Sequence, residues 1–365
     1  MSSFTIKTAT LQTMVNKVIR GASNSKFSAI TSLINVVLEN NVLSMTTTDS
    51  DNYLTISEQV TSAETLNFTV GVDMFSKLVT KTSTENITIK ITDDMISFTG
   101  NGTYKIPIQL DVDGSPIKYP THEINNPEET GTIKTSVIKN IILHNKPSLA
   151  LTLEAPYLVG YLCNVDNVIS ADTFNICVNK VKTFNKCVLV RPIVFELLSM
   201  SSEEDISYKM YQNTVLFETP TMKLFAVLMD GVDDYPVDAI MSYCETEYPS
   251  SCVLPKTAIL NVIDRLSLFI RDDEQNGLYM TFTDKGVKLE AMNTSAVESV
   301  SYQGSTNFKD YSCCIGVESF KKQLSARVGE SVNVYYGDDS TVTIKEDTVT
   351  QIISLLDDPR VASEE

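Results

Sequence analysis

Four sequence landmarks recur in the same order along the 365-residue chain, and this repetition constrains the fold more than any other feature. The first landmark is a strand that runs into a helix, at Lys7–Leu11, Lys134–Ile138 and Lys256–Leu260. Successive copies are spaced by roughly 120 residues, well beyond the ~20–50 residues of a solenoid repeat. A unit of this length is predicted to be a complete domain with its own core.

The next landmarks predict a mixture of helices and antiparallel strands in each copy. The helix of the first landmark has apolar residues at spacings of three and four, as in Leu11, Met14, Val15 and Val18. A later strand leads into a second helix with a fixed Phe, and strands with alternating apolar residues follow. A turn ends a central strand at Asp49, Asp172 and Asn293. The fixed residues are Phe75, Phe195 and Phe320.

The fourth landmark closes the first two copies with an Asp-Gly turn and a Tyr-Pro exit, at Asp113–Pro120 and Asp230–Pro236. The sequence therefore predicts an α+β protein of three tandem domains, each with two helices packed on antiparallel sheets. The predicted boundaries are 1–124, 125–243 and 244–365. The alternative, three unrelated α+β domains, requires four ordered landmarks to agree by chance.

Composition excludes several classes of protein. Hydrophobic residues make up 42% of the chain, which is enough for ordinary cores. No apolar run approaches the ~18–20 residues of a transmembrane helix, and the start lacks the basic and apolar stretches of a signal peptide. The seven cysteines are an odd number, which favours reduced thiols. A cytoplasmic protein without a membrane partner is expected.

Residues suited to catalysis are scarce. The two histidines, His122 and His144, lie in different segments and have no second ligand at metal-binding spacing. The sequence contains no Walker loop and no nucleophile elbow. We therefore predict no catalytic residue, no metal and no cofactor. A hydrolase or transferase with an unrecognised site is the alternative enzyme hypothesis.

Taken together, these landmarks resemble those of the bacterial β sliding clamps, the processivity subunits of DNA polymerase III. The resemblance rests on the two helices per copy, the acidic turn, the Tyr-Pro boundary and the apolar C-terminal strand, and it spans nearly the whole chain. The family's Thr-Asp-Gly-His-Arg-Leu string is Ala171–Ile176 here, with Asp172 and an apolar last position retained. These departures suggest a distant member, such as a phage-encoded one.

The resemblance implies a non-enzymatic function. Clamps of this family are head-to-tail homodimers whose six domains form a ring, with helices lining the hole. The chain is accordingly expected to encircle double-stranded DNA and to tether a DNA polymerase and a clamp loader through short linear motifs. It would act in the bacterial cytoplasm, or in the infected host's cytoplasm if it is phage-encoded. The alternative is a ring-shaped scaffold of the same fold that does not load on DNA.

The distribution of charge reconciles this function with the acidic composition. A formal net charge of −17 argues against generic nucleic-acid binding, but many of the basic residues fall on the predicted helices. A sliding ring needs weak phosphate contacts and no base readout. The cations predicted to face DNA are Lys17, Arg20, Lys77, Lys81, Lys139, Lys146, Arg265, Lys321, Lys322 and Arg327.

The resemblance also implies a hydrophobic cleft for partner peptides. The cleft would form between the turn of the middle copy and the C-terminal strand. Its predicted residues are Leu158, Ala171, Thr173, Phe174, Asn175, Ile176, Ile352, Ile353, Ser354, Leu355 and Leu356. The family's Pro is Leu355 here and its basic cleft residue is Asn175, which suggests an altered peptide preference. The alternative is that Ile352–Leu356 is an ordinary core strand.

The predicted dimer joint pairs two apolar segments. The first is an edge strand with Tyr104, Ile106 and Ile108, since Pro107 lacks the N–H that an internal strand needs. The second comprises Leu268, Phe269 and Ile270, which are too apolar for the free end of a surface helix. The alternative is that both segments belong to the domain cores.

Overall fold

The computed structural model describes residues 3–23, 28–62, 64–92, 94–115, 117–152, 154–270, 277–292, 296–304, 306–307 and 309–358. The turn residue Asn293 lies outside these ranges. Within them the chain forms helices and antiparallel strands, so the predicted α+β class is confirmed.

The order of elements repeats three times as strand, helix, four strands, helix, three strands. The first copy contains β1 (Ser3–Lys7), α1 (Thr8–Val18), β2 (Leu33–Glu39), β3 (Val42–Thr48), β4 (Asn52–Gln59), β5 (Leu66–Gly71), α2 (Val72–Lys81), β6 (Asn86–Thr92), β7 (Met95–Thr99) and β8 (Thr103–Pro107).

The second copy follows the same order. It contains β9 (Glu129–Lys134), α3 (Thr135–Asn145), β10 (Tyr161–Cys163), β11 (Val168–Ala171), β12 (Asn175–Asn179), β13 (Val188–Val190), α4 (Pro192–Leu198), β14 (Asp205–Tyr211), β15 (Thr214–Glu218) and β16 (Met222–Val227). An additional helix, α5 (Val237–Cys244), follows it before the third copy begins.

The third copy repeats the order again. It contains β17 (Ser250–Pro255), α6 (Lys256–Ser267), β18 (Gly277–Phe282), β19 (Gly286–Ala291), β20 (Val297–Ser301), β21 (Tyr311–Gly316), α7 (Val317–Ser325), β22 (Ser331–Tyr336), β23 (Thr341–Glu346) and β24 (Val349–Leu356).

By packing, the chain forms two compact units. The first unit is Met1–Ile138 with Ile193–Leu228, and the second is Lys139–Pro192 with Met229–Glu365. In the first unit the apolar stripe of α1 is fully buried, as its spacing predicts. In the second unit the stripe of α6 and Phe320 of α7 join one large core. The boundaries near residues 124 and 243 stay predictions.

Each copy contributes two four-stranded ladders in a fixed order. The four strands between the two helices of each copy form its first ladder, with the orders β5-β2-β3-β4, β13-β10-β11-β12 and β21-β18-β19-β20. The other three are β1-β6-β7-β8, β9-β14-β15-β16 and β17-β22-β23-β24. The last strand of one copy's first ladder pairs with the last strand of the next copy's other ladder, as β4 with β16 and β12 with β24. The equivalent strands β20 and β8 each end a ladder, with no further strand beside them in the described residues.

Candidate functional site

A groove of about 220 Å³ opens in the second unit. It lies between the turn that follows β11, the end of β24 and the helix α5. The structure thus brings together most of the residues predicted to form a partner cleft. The lining residues are Leu158, Ala171, Asp172, Thr173, Phe174, Asn175, Ile176, Pro236, Ala239, Ile240, Tyr243, Thr341, Ile352 and Ser354.

The turn from Asp172 to Asn175 is held by its own side chains. The Oδ1 atom of Asp172 accepts hydrogen bonds from the backbone N–H groups of Phe174 and Asn175, both at 2.7 Å. The Nδ2 atom of Asn175 donates to Asp172 and to Ser319 Oγ, at 3.1 Å. Its Oδ1 atom is buried and accepts no hydrogen bond from the described residues. The groove wall is therefore fixed and keeps one acceptor unused.

The strand β24 divides its side chains between the groove and the core. Ile352 and Ser354 line the groove, whereas Ile353 is fully buried in the core of the second unit and Leu355 packs on that core. The prediction that Ile353 and Leu355 line the cleft is therefore wrong. Successive side chains of a strand point to opposite faces, so a continuous run cannot all face one groove.

A second cavity of about 320 Å³ adjoins the first, because Phe174 and Ser354 line both. The predicted residue Leu356 lies here, beside the start of α7. Half of the Phe174 side chain is exposed, and the ring separates the two cavities. The two cavities therefore share a wall and are lined by both apolar and polar residues. The second cavity is lined by Phe174, Gly316, Val317, Glu318, Ser319, Ser354, Leu356 and Asp357.

The groove residues that sequence reasoning missed belong mainly to α5 and its start. Pro236, Ala239, Ile240 and Tyr243 recur at the spacing of one helix face. This periodicity after the Tyr-Pro boundary was a usable signal. Thr341, at the start of β23, reaches the groove only through strand pairing, and a local pattern does not reveal that.

The predicted DNA-facing cations differ in how much of their charge is free. Lys77 lies 2.6 Å from Asp73, Arg265 lies 2.6 Å from Glu298, and Lys321 lies 2.8 Å from Asp264. These pairs are largely exposed, so each contributes little to stability. Five other predicted cations form no ion pair with the described residues: Lys17, Arg20, Lys81, Lys139 and Lys322.

Arg327 does not face solvent. It follows the end of α7, is 2% exposed, and places its Nη1 atom 3.4 Å from Glu346 Oε2. Burial lowers the pKa of its guanidinium group, which nonetheless stays charged at neutral pH. The prediction that Arg327 faces DNA is wrong, because α7 ends at Ser325 and the chain then turns into the core.

A larger cavity of about 610 Å³ in the second unit brings together three of the predicted cations. Lys146, Lys321 and Lys322 line it, together with the carboxylates of Asp172 and Glu318. The exposed side chains of Leu143 and Leu151 contribute apolar walls. The mixture of charges is suited to transient contacts with a polyanion and not to a tight anion site.

The predicted edge strand occupies an edge. β8 ends its ladder, with Tyr104 exposed and Ile108 half-buried just beyond it. The side chain of Ile106, in contrast, is buried in the core, so it is not available to a partner. Leu268 and Phe269 are 82% and 55% exposed after α6, whereas Ile270 packs against the core of the second unit.

Sequence reasoning missed the second free edge, β20. Its residues Val297–Ser301 do not alternate between apolar and polar, so the local pattern indicates neither the strand nor its neighbours. Glu298 of β20 makes two hydrogen bonds to Arg265 of α6, at 2.8 and 2.6 Å. These bonds raise the pKa of Arg265 and lower that of Glu298, which keeps both groups charged.

Five of the seven cysteines are buried, whereas Cys187 and Cys244 are partly exposed. Burial raises the pKa of the Cys177 and Cys252 thiols to about 12, so both stay protonated at neutral pH. No cluster of three or more potential metal ligands is found in this part of the chain. The described helices include none that is long and apolar enough to cross a membrane.

Comparison with known proteins identifies the fold. No family model matches the sequence, and no curated protein matches it either. The sliding clamp of Bacillus subtilis matches with a TM-score of 0.83 and 18% identity over 98% of this chain and 99% of that chain. The polymerase beta subunit of Streptococcus pyogenes gives 0.86 and 16% over 98% and 100%. The Pseudomonas aeruginosa clamp, solved bound to griselimycin, gives 0.83 and 16% over 97% and 99%.

Proposed function

We propose that this chain, which has the fold of the bacterial DNA sliding clamps, encircles duplex DNA as a homodimeric ring and tethers a DNA polymerase to it. The observation that carries the proposal is the repeated pairing of β4 with β16 and of β12 with β24. The same rule leaves β20 and β8 as a matched pair of open edges. A second copy of the chain satisfies both edges.

Closure of the ring follows from this pairing. When β8 of one chain pairs with β20 of another, the twofold arrangement creates a second, identical joint. Both edges then gain the hydrogen bonds that an open sheet edge lacks. The exposed Leu268 and Phe269 follow α6, which packs against β20, so the joint would also cover these apolar side chains.

Attachment to DNA would be topological, with weak electrostatic support. The cations without ion pairs on α1, α2, α3 and α7, or next to these helices, attract phosphate without reading bases. Screening limits each attraction to about 8 Å at physiological salt, so the contacts exchange as the ring moves. The net charge of −17 is compatible with this arrangement, because only the surface that faces DNA needs a positive potential.

The groove in the second unit is proposed to hold a short linear segment of the polymerase or of the clamp loader. Its apolar walls suit the hydrophobic side chains of a short peptide. Phe174, which stands between the two cavities, would contact the side chains on both sides. We also expect griselimycin to bind in this groove of the present chain.

A loading experiment tests the proposal. The chain is incubated with ATP, the clamp loader encoded in the same genome and a nicked circular plasmid, and the mixture is separated by gel filtration. We expect the protein to elute with the circular DNA and to be released when a restriction enzyme linearises it. Absence from the plasmid would favour the ring-shaped scaffold that does not load on DNA. Retention that survives linearisation would contradict topological attachment.

A further inference from the structure

The side chain of His122 lies between two aromatic rings of the first unit. Its ring stacks on Phe225, with centroids 4.1 Å apart and planes 14° apart, and contacts Tyr53 at 4.2 Å and 50°. His122 belongs to the segment between β8 and β9, which forms no helix or strand over residues 117–128. A connector without regular secondary structure thus packs the ring of His122 against the strands β4 and β16.

The two aromatic residues occupy the positions that form the groove in the second unit. Phe225 of β16 is the direct strand partner of Tyr53 of β4. In the second unit the equivalent strands β24 and β12 pair Ile352 with Ile176, and both of these side chains line the groove. His122 therefore covers the counterpart of a groove wall.

The surrounding features repeat as well. The Oδ1 atom of Asp49 accepts a hydrogen bond from the N–H of Asn52 at 2.7 Å, as Asp172 does from Asn175. Thr214 opens β15 as Thr341 opens β23, and each lines the local cavity. The cavity beside His122 has a volume of about 380 Å³ and is lined by His122, Glu123, Ile124, Asn125, Asn126, Tyr211, Thr214 and Phe225.

The two connectors differ in how they treat these equivalent places. After Tyr235-Pro236 the second connector folds into α5, which flanks the groove and leaves it open. After Tyr119-Pro120 the first connector forms neither a helix nor a strand before Glu129. The hydroxyl oxygen of Tyr119 lies 2.9 Å from the carbonyl oxygens of both Ile30 and Leu33, so its single O–H donates to either one or is shared between them. This contact fixes the point from which the connector reaches the sheet.

We propose that residues 121–126, termed the strap, are an intramolecular ligand that covers the aromatic wall of a latent second groove, so that each chain offers one partner site instead of two. The inference rests on the proposed function of the groove in the second unit and specifies how many partners a chain can hold. Burial and the nearby charge of Lys223 lower the pKa of His122, so the ring is neutral at pH 7 and suited to an apolar slot.

Isothermal titration with griselimycin as the probe tests this inference. The wild-type chain is expected to bind one molecule per chain, and His122→Ala is expected to bind two, the second more weakly. Lys118→Ala is the matched control, since Lys118 is an exposed residue of the same connector that does not line the cavity. It is expected to bind one molecule.

Each other result has a definite meaning. One site in both the wild type and His122→Ala, or two sites in the wild type, would overturn the strap. No binding to the wild type would count against the proposed groove of the second unit. In that case one site in His122→Ala would still support the strap, and none would overturn it. If His122→Ala melts early, a chain with residues 121–126 replaced by an equally long Gly-Ser segment is titrated instead, under the same criteria.

Discussion

Substitution of Lys105 by Pro tests the proposed joint between β8 and β20. The N–H of Ile108 donates to Asp94 O and that of Gly100 to Gly102 O, both at 2.9 Å. Because bonded and non-bonded pairs alternate in an antiparallel ladder, residues 104 and 106 bond to β7, and the N–H groups of Thr103 and Lys105 face the open edge. Proline at 105 therefore removes a donor that only a partner strand would use.

The size of the effect follows from the number of joints. Leaving one carbonyl of the partner strand without its hydrogen bond costs about 1–3 kcal/mol. A twofold dimer contains two such joints, so the total is about 2–6 kcal/mol. The dissociation constant of the dimer should then rise by roughly 30-fold to 10⁴-fold. The ladder between β7 and β8 keeps all of its own hydrogen bonds, so the melting temperature of the monomer should change little.

Sedimentation equilibrium measures the dissociation constant, with Lys105→Ala as the control. The control removes the same exposed charge but keeps the N–H, so it should dimerise like the wild type. If Lys105→Pro dimerises as tightly as Lys105→Ala, the edge of β8 is not part of the joint, and the strand pairing seen within the chain does not continue between chains.

Three further predictions concern the groove, the cations and the strap. Phe174→Ala should weaken griselimycin binding by about 10- to 100-fold in calorimetry, because it removes the side chain that lines both cavities. The control Ile353→Val changes a buried core residue and costs about 1 kcal/mol of stability, but it should leave griselimycin binding unchanged. Replacing Lys17, Arg20, Lys81 and Lys139 by Gln should flatten the salt dependence of retention on circular DNA. The control Lys90→Gln, at an exposed strand residue, should leave that dependence unchanged. An unchanged slope in the fourfold variant would contradict the proposal that these four cations face DNA. The pKa of His122 is lowered on folding, so its contribution to stability is complete above pH ~6.5 and is lost as the pH falls below that value. Urea unfolding between pH ~5 and ~8 should therefore show less loss of stability at acid pH in His122→Ala than in the wild type. The pKa of His144 is also lowered by burial, so part of the acid sensitivity should remain in the variant, and equal pH profiles would contradict the stacked ring.

The fold was predictable from sequence wherever the signal is local and repeated. Each strand that runs into a helix has its own hydrophobic periodicity. The turn at Asp172 is specified by its carboxylate, which accepts hydrogen bonds from the N–H groups two and three residues later. Three copies of such signals at nearly constant spacing left little freedom in the order of elements.

The errors arose where the outcome depends on partners distant in the chain. Alternation shows that Ile352 and Ile353 face opposite sides, but only pairing with β12 decides which one faces the core. The sequence predicts Arg327 to be an exposed helix cation, but α7 ends at Ser325 and Arg327 is buried. The open edge of β20 is invisible to local reasoning, since an edge is defined by the absence of a neighbour among the described strands.

The connectors give the pairing rule a kinetic consequence. The β4–β16 and β12–β24 ladders are tied by continuous chain, so after a local opening their strands meet again at an effective concentration in the millimolar range or above. The ladder proposed between β8 and β20 has the same chemistry but no chain connection across it, so the strands of an opened joint stay near each other only through the second joint. In the proposed ring, the two joints between chains are therefore expected to open more readily than the joints within a chain, although the strand pairing is equivalent in both.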